Sequence, residues 1–101
     1  MITVYISIGN SDDKLTQANW SLYVANVREL LLLNASNTHG EWYSLPAAPF
    51  QNACFCIELP NTDAADRLKA GLGQWARSFR QDSIAWAEVP VTEFIQAAEA
   101  A

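Results

Sequence analysis

Basic residues are scarce: six Lys and Arg stand against eleven Asp and Glu, for a net charge of −5 over 101 residues. A broad phosphate-binding face draws on clustered Lys and Arg, so duplex nucleic acid is excluded as an expected partner. Apolar runs are short. None approaches the roughly 20 residues needed to cross a bilayer, and the first residues lack the basic start and apolar stretch of a signal peptide. The expectation is a cytoplasmic protein with no membrane partner. Histidine occurs once, at His39, and cysteine twice, at Cys54 and Cys56, with no zinc-type spacing among them. Neither a metal nor a cofactor is expected. Closing a disulfide between two cysteines one residue apart would make a small, strained ring, so both are read as free thiols. The phosphate-cradling glycine patterns, a GxSxG nucleophile and paired carboxylates are also missing.

What is present is apolar content. Half the residues are hydrophobic, which excludes a disordered chain and suits one compact domain. Residues 2 to 8 alternate, with Ile2, Val4, Ile6 and Ile8 on one face and Thr3, Tyr5 and Ser7 on the other, the pattern of a half-buried strand. Gly9 to Asp13 carries turn and cap chemistry, so a helix is expected from Ser11 or Asp12 to about Leu33, its buried stripe formed by Trp20, Val24, Val27 and Leu31. The polar stretch 34–40 reads as a loop. Strands are expected at 41–45 and 53–59, joined through a proline-containing connection, with Ala53, Phe55, Ile57 and Leu59 facing the core. Pro60, Asn61 and Asp63 supply a stop, a cap and a first-turn acid for a second helix over 63–79. Its stripe is Ala65, Leu68, Leu72, Trp75 and Phe79. A last strand covers 83–89. Residues 1–95 form a single α+β domain on this reading, and 96–101 a frayed tail.

The order strand, helix, strand, strand, helix, strand matches the ferredoxin-like βαββαβ arrangement, a four-stranded antiparallel sheet with two helices on one face. The first and third strands are expected as parallel neighbours at its centre. One sheet edge then gathers Asn10 to Lys14, the His39–Gly40 approach, the Pro60 turn and Arg80–Gln81–Asp82. Gln51 and Asn52 fall at the far end, about 20 Å away, and a second protomer is the simplest way to bring them to the same pocket. Either alternating set of the last strand, Ile84/Trp86/Glu88 or Ser83/Ala85/Ala87/Val89, can face the open side.

Several residues are candidates for chemistry. Asn10, Ser11, Asp12, Asp13 and Lys14 follow a strand and open a helix, where backbone N–H groups hold anions or carboxylates hold ribose hydroxyls; the alternative is an ordinary acid-rich cap. Arg80, beside Gln81 and Asp82, either grips a phosphate or carboxylate with its planar fork or forms a local surface ion pair. Trp42 and Trp86 are less constrained than Trp20 and Trp75, and on the open side with Tyr5 they would make a stacking platform or an interface. Core packing accounts for them equally well. His39 has no acid partner nearby in sequence and neither cysteine has a neighbouring base, so catalysis has little support.

Three segments, Val-Tyr-Ile-Ser-Ile-Gly-Asn-Ser-Asp-Asp-Lys-Leu-Thr-Gln, Pro-Phe-Gln-Asn-Ala-Cys-Phe-Cys and Arg-Gln-Asp-Ser-Ile-Ala-Trp-Ala-Glu, resemble those of small actinobacterial proteins and proteins of their phages. The resemblance spans most of the chain and implies no particular activity. It draws interest to Asn10–Lys14, Gln51, Asn52 and Arg80–Asp82. By analogy with small phage proteins that sequester host signalling nucleotides or block a host defence protein, the first expectation is a non-catalytic pocket for a small polar, nucleotide-derived ligand. In it Trp42 or Trp86 stacks, Asn10, Asp12 and Asp13 hold hydroxyls, and Lys14 and Arg80 hold acidic groups. The second is a protein-interaction module or homodimer using the open sheet face, with Tyr5, Cys54, Cys56 and Trp86 at the interface. A homo-oligomer is expected on either. The third is a small enzyme relying on Cys54 or His39.

Overall fold

The structure is a computed structural model, and it describes residues 1–99. β1 (Ile2–Gly9) is followed by a short 3-10 turn at Ser11–Asp13, α1 (Gln17–Asn34), β2 (Asn37–Tyr43), β3 (Asn52–Leu59), α2 (Thr62–Ser78) and β4 (Ala85–Val89). The strands form one sheet in the order β2-β3-β1-β4, with every neighbouring pair antiparallel. The fold is α+β and ferredoxin-like. No helix among the described residues is long and apolar enough to cross a membrane. Beyond β4, residues 90–99 lie in neither helix nor strand; the last two positions of the expected tail, 100–101, lie outside the described residues.

Alternation builds one side of the sheet into the core. Val4, Ile6 and Ile8 of β1 and Ala53, Phe55, Ile57 and Leu59 of β3 are buried against Trp20, Tyr23, Val27 and Leu31 of α1 and Ala64, Ala65, Leu68 and Leu72 of α2. Trp75 and Phe79 pack on this cluster half-buried, and Ala76 takes the last fully buried place on α2. The α1 stripe is turned by one residue from the expected one. Tyr23 is buried, and Val24 is half-buried beside it.

Two expectations about direction are corrected. β1 and β3 are antiparallel, pairing Ile2 with Leu59 and Gly9 with Asn52. A helical crossover returns β2 parallel to β1, and the single reversal between β2 and β3 then leaves β3 opposed to β1. Gln51 and Asn52 therefore sit at the same end as Asn10, whose backbone N–H donates to the Gln51 carbonyl at 2.8 Å. No second protomer is needed to bring them together. The Pro60 turn and the start of β2, with Asn37 opposite Glu58, lie at the other end, so His39 and Pro60 are not part of the Asn10 cluster.

The first helix also starts later than its turn chemistry suggests. Asp12 and Asp13 adopt left-handed backbone angles (φ 54° and 53°), which Asp tolerates better than most residues, and these lie inside the 3-10 turn, so it does not run on into α1. Thr16 is the cap, its hydroxyl accepting from the Asn19 N–H at 3.2 Å. β2 likewise begins at Asn37, inside the stretch expected as loop, and carries a register shift between Thr38 and Gly40.

The two glycines of α2 face different surroundings. A Cβ at Gly71 would stand 2.8 Å from Leu30 Cδ2 on α1, whereas one at Gly73 would meet nothing within 4 Å. Gly73→Ala is expected to stabilise the fold by about 0.5–1 kcal/mol through helix propensity. Gly71→Ala should gain less or lose stability, because Leu30 must move. Urea denaturation of both variants checks the difference, and equal gains would show that the helices do not touch at Gly71.

Candidate functional site

Three surfaces hold the candidate residues: the loops at the Asn10 end, the sheet face away from the helices, and a groove between α1 and β2.

At the loop end, the turn after β1 and the joint before β4 meet as the topology requires. The Ser11 N–H donates to Gln81 Oε1 at 2.7 Å, and Lys14 Nζ donates to the Arg80 carbonyl at 3.1 Å. Asn10 and Gln81 are buried, and their polar atoms are taken up inside the chain. Asn10 accepts from the Leu15 N–H at 2.9 Å and donates to the Leu15 carbonyl at 3.0 Å; Gln81 donates to the Phe79 carbonyl at 3.0 Å. Lys14 is 3.7 Å from Asp82, an exposed pair of small energetic weight. Asp12, Asp13 and Arg80 are exposed. These residues are neighbours, yet most of their hydrogen bonding builds the loops themselves.

The open face carries Thr3, Tyr5 and Ser7 of β1, opposite Glu58, Cys56 and Cys54 of β3 and Val89, Ala87 and Ala85 of β4. Trp42 lies on this face opposite Cys54. Its ring rests against the Gly40 backbone so closely that a Cβ there would stand 2.8 Å from Trp42 Cη2. Cys54 and Cys56 are free thiols; Cys56, and then Cys54, raise the Tyr5 hydroxyl above its ordinary pKa. Glu58 is the acid partner for His39 that local sequence does not show, with His39 Nε2 2.9 Å from Glu58 Oε1. Trp86 is elsewhere. It pairs with the core residue Ile6, so it points to the helix side, where Lys69 Nζ lies 4.8 Å over its ring. Its indole N–H donates to Glu88 at 3.1 Å. The platform of Trp42, Trp86 and Tyr5 on one face is therefore not formed. No group of three or more potential metal ligands occurs among the described residues.

A groove of about 430 Å³ lies between α1 and the β2 edge, lined among others by Trp20, Val24, Arg28, Tyr43 and Gln51. Its floor is apolar, from Trp20 and Val24, and its rim is polar. Gln51, 5% exposed, donates to the Pro46 carbonyl at 2.9 Å and to Gln17 Oε1 at 3.3 Å. Arg28 Nε is 2.5 Å from Glu41 Oε1, and the Tyr43 hydroxyl donates to Glu41 Oε2 at 3.2 Å. Burial, and then the Glu41 carboxylate, push the Tyr43 pKa up, so this hydroxyl stays a donor at neutral pH. The Arg28 charge is matched by its ion pair with Glu41. Of the expected site residues only Gln51 lines this groove. Gln17, Arg28, Ser44 and Tyr43 were missed, although Gln17, Ser21, Val24 and Arg28 follow a helical spacing that marks a second, partly polar face of α1.

No protein-family model and no curated protein matches the chain. Among solved structures it is similar to a hydroxynitrile lyase from Passiflora edulis, with TM-score 0.61 and 12% identity, over 94% of this chain and 97% of that one. It is also similar to a putative antibiotic biosynthesis monooxygenase from Deinococcus radiodurans (TM-score 0.58, 10% identity, 98% and 100% covered). A cofactor-independent oxygenase from Streptomyces nogalater gives TM-score 0.56 and 10% identity over 95% and 96%. At these identities the likeness is one of fold.

Proposed function

We propose that the chain is a non-catalytic binding protein for a small, uncharged polar ligand with a flat or apolar ring, of the nucleoside kind, held in the groove between α1 and β2. The observation that carries this is a concavity of about 430 Å³ with an apolar floor and a few convergent polar groups, the usual make-up of a small-molecule site. The ring lies on Trp20 and Val24, while Gln17, Gln51 and Ser44 meet hydroxyl or amide groups. Glu41 already neutralises Arg28, so a free phosphate finds no spare cation there. Neither histidine nor cysteine lines the groove, which favours binding, and a sequestering role, over nucleophilic chemistry; the lyase and oxygenase activities named for the structural neighbours remain those proteins' own. Calorimetric titration with adenosine, other nucleosides, ADP-ribose and cyclic dinucleotides tests this. Uncharged nucleosides should give heat, and Ser21→Trp, which fills the groove from an exposed position, should weaken them at least about 10-fold. Silence across the panel, or binding untouched by Ser21→Trp, would sink the reading.

A second reading, a homodimer through the open sheet face, is favoured by the character of that face. Tyr5 and Trp42 are 42% and 54% exposed, and every other residue paired across its centre, from Cys54 and Ser7 to Ala85 and Ala87, is uncharged. A partly aromatic face whose carboxylate, Glu58, already has His39 2.9 Å away at the margin suits self-association, since little complementary charge is required of the partner.

A further inference from the structure

The segment after β4 has the makings of a partner for that face. Residues 90–99 lie in neither helix nor strand, and Val91, Phe94 and Ile95 are 77–89% exposed. With Ala98 they stand at i, i+3, i+4 and i+7, the spacing of one helical stripe. A strand would instead divide them, with Val91 and Ile95 on one side and Phe94 on the other. Pro90 suits a first helical position and Glu93 the first turn. No glycine interrupts the run. Ten residues are too few to hold a helix in water without packing, which accounts for the absence of helix in a single chain.

The segment does not return to its own sheet. Among the described residues after Val89 there is no further strand pairing, and their large apolar side chains stay in water. The radius of gyration is 15.7 Å and the longest axis 54 Å, against a radius of about 13 Å for a compact chain of this length. Area points the same way. Four strands at about 4.8 Å spacing and six residues of length give the face a flat footprint of roughly 400 Å², a small base for an interface that buries roughly 800 Å² of accessible surface per partner. Phe94 alone can bury about 150–250 Å², so three apolar side chains add to that base.

We propose that residues 90–99 fold into an amphipathic helix on the open sheet face of a second copy, each protomer giving one helix and receiving one. This rests on the homodimer reading and goes beyond it. The exchange is two-fold symmetric, so both faces are covered by the same set of contacts. Val91, Phe94 and Ile95 cover the partner's Tyr5, Trp42 and Ala87 surface, and Glu93, Gln96 and Glu99 stay in water.

Sedimentation of the full chain over about 1–500 µM, with far-UV circular dichroism to confirm the fold, tests both levels. The wild type should be dimeric and gain helix signal as it associates. A full-length variant with Val91, Phe94 and Ile95 all changed to Ser should dissociate about 100-fold more readily. Gln96→Pro, which keeps the apolar side chains and breaks the helix, should do nearly the same. A monomeric wild type overturns the homodimer and this proposal with it. A dimeric wild type whose triple variant associates equally well overturns the segment's role alone, and a fully dimeric Gln96→Pro protein overturns the helix.

Discussion

Tyr23→Phe is expected to raise the unfolding free energy by about 1 kcal/mol at neutral pH, and by more as the solution is made alkaline. Tyr23 is completely buried on α1, its ring 5.0 Å from Phe79 and 6.1 Å from Trp20, and its hydroxyl has no hydrogen-bond partner among the described residues. A buried donor without a partner has lost its water for nothing in return. Removing the oxygen keeps the ring and its packing. The same burial pushes the Tyr23 pKa up to about 12 from 10.0. The sign follows directly: the unfolded chain releases this proton near pH 10 and the folded chain near 12, so the wild type keeps its full stability below pH 10. It loses about 3 kcal/mol as the pH rises from 10 through 12. The Phe variant lacks that loss. Guanidinium denaturation of both proteins at pH 7, 10 and 11 measures it, and the difference between them isolates Tyr23 from Tyr5 and Tyr43. A Phe variant that is less stable at pH 7 would mean that the hydroxyl is satisfied in solution, for example by an enclosed water.

Tyr23 also marks where legibility ended. β1 and β3 could be read from alternation alone, because each has one face in the core, and the fold follows from element order. The second helix announced itself through local chemistry: Asn61 accepts from the Ala64 N–H at 2.9 Å and Asp63 sits in the first turn. α1 was harder. It exposes Leu22, Leu32 and Leu33, so its apolar residues surround it and either Tyr23 or Val24 completes a plausible stripe. Trp86 is undecidable locally, since one face of its strand mixes Trp86 with the charged Glu88 while the other holds only Ala85, Ala87 and Val89; only its pairing with Ile6 orients it. The groove was invisible for a different reason. Arg28 and Glu41 become neighbours only when α1 lies along the β2 edge, and the Gln51 contacts depend on β3 running antiparallel to β1, a direction that was inferred the wrong way round.

Asn10→Ala should cost about 2–3 kcal/mol, a large effect for a polar residue in a loop. The residue is 2% exposed, and its carboxamide forms both hydrogen bonds to Leu15, accepting at 2.9 Å and donating at 3.0 Å, with a further donation to Asp13 at 3.3 Å. Alanine leaves the Leu15 N–H and carbonyl without these partners beside the core and frees the turn that delivers the chain to the Thr16 cap. Asn10→Asp restores the acceptor but not the donor, and sets a carboxylate next to Asp13, so it should recover only part of the loss. Gln81→Ala, which releases the Ser11 N–H held at 2.7 Å, should cost about 1–2 kcal/mol. Urea denaturation ranks the three. The comparison separates two uses of the same polar cluster: if Asn10 and Gln81 hold the loops, stability falls and nucleoside binding in the α1–β2 groove is kept in the folded fraction. If they instead hold ligand, binding is lost while the denaturation midpoint barely moves, and the site belongs at the loop end.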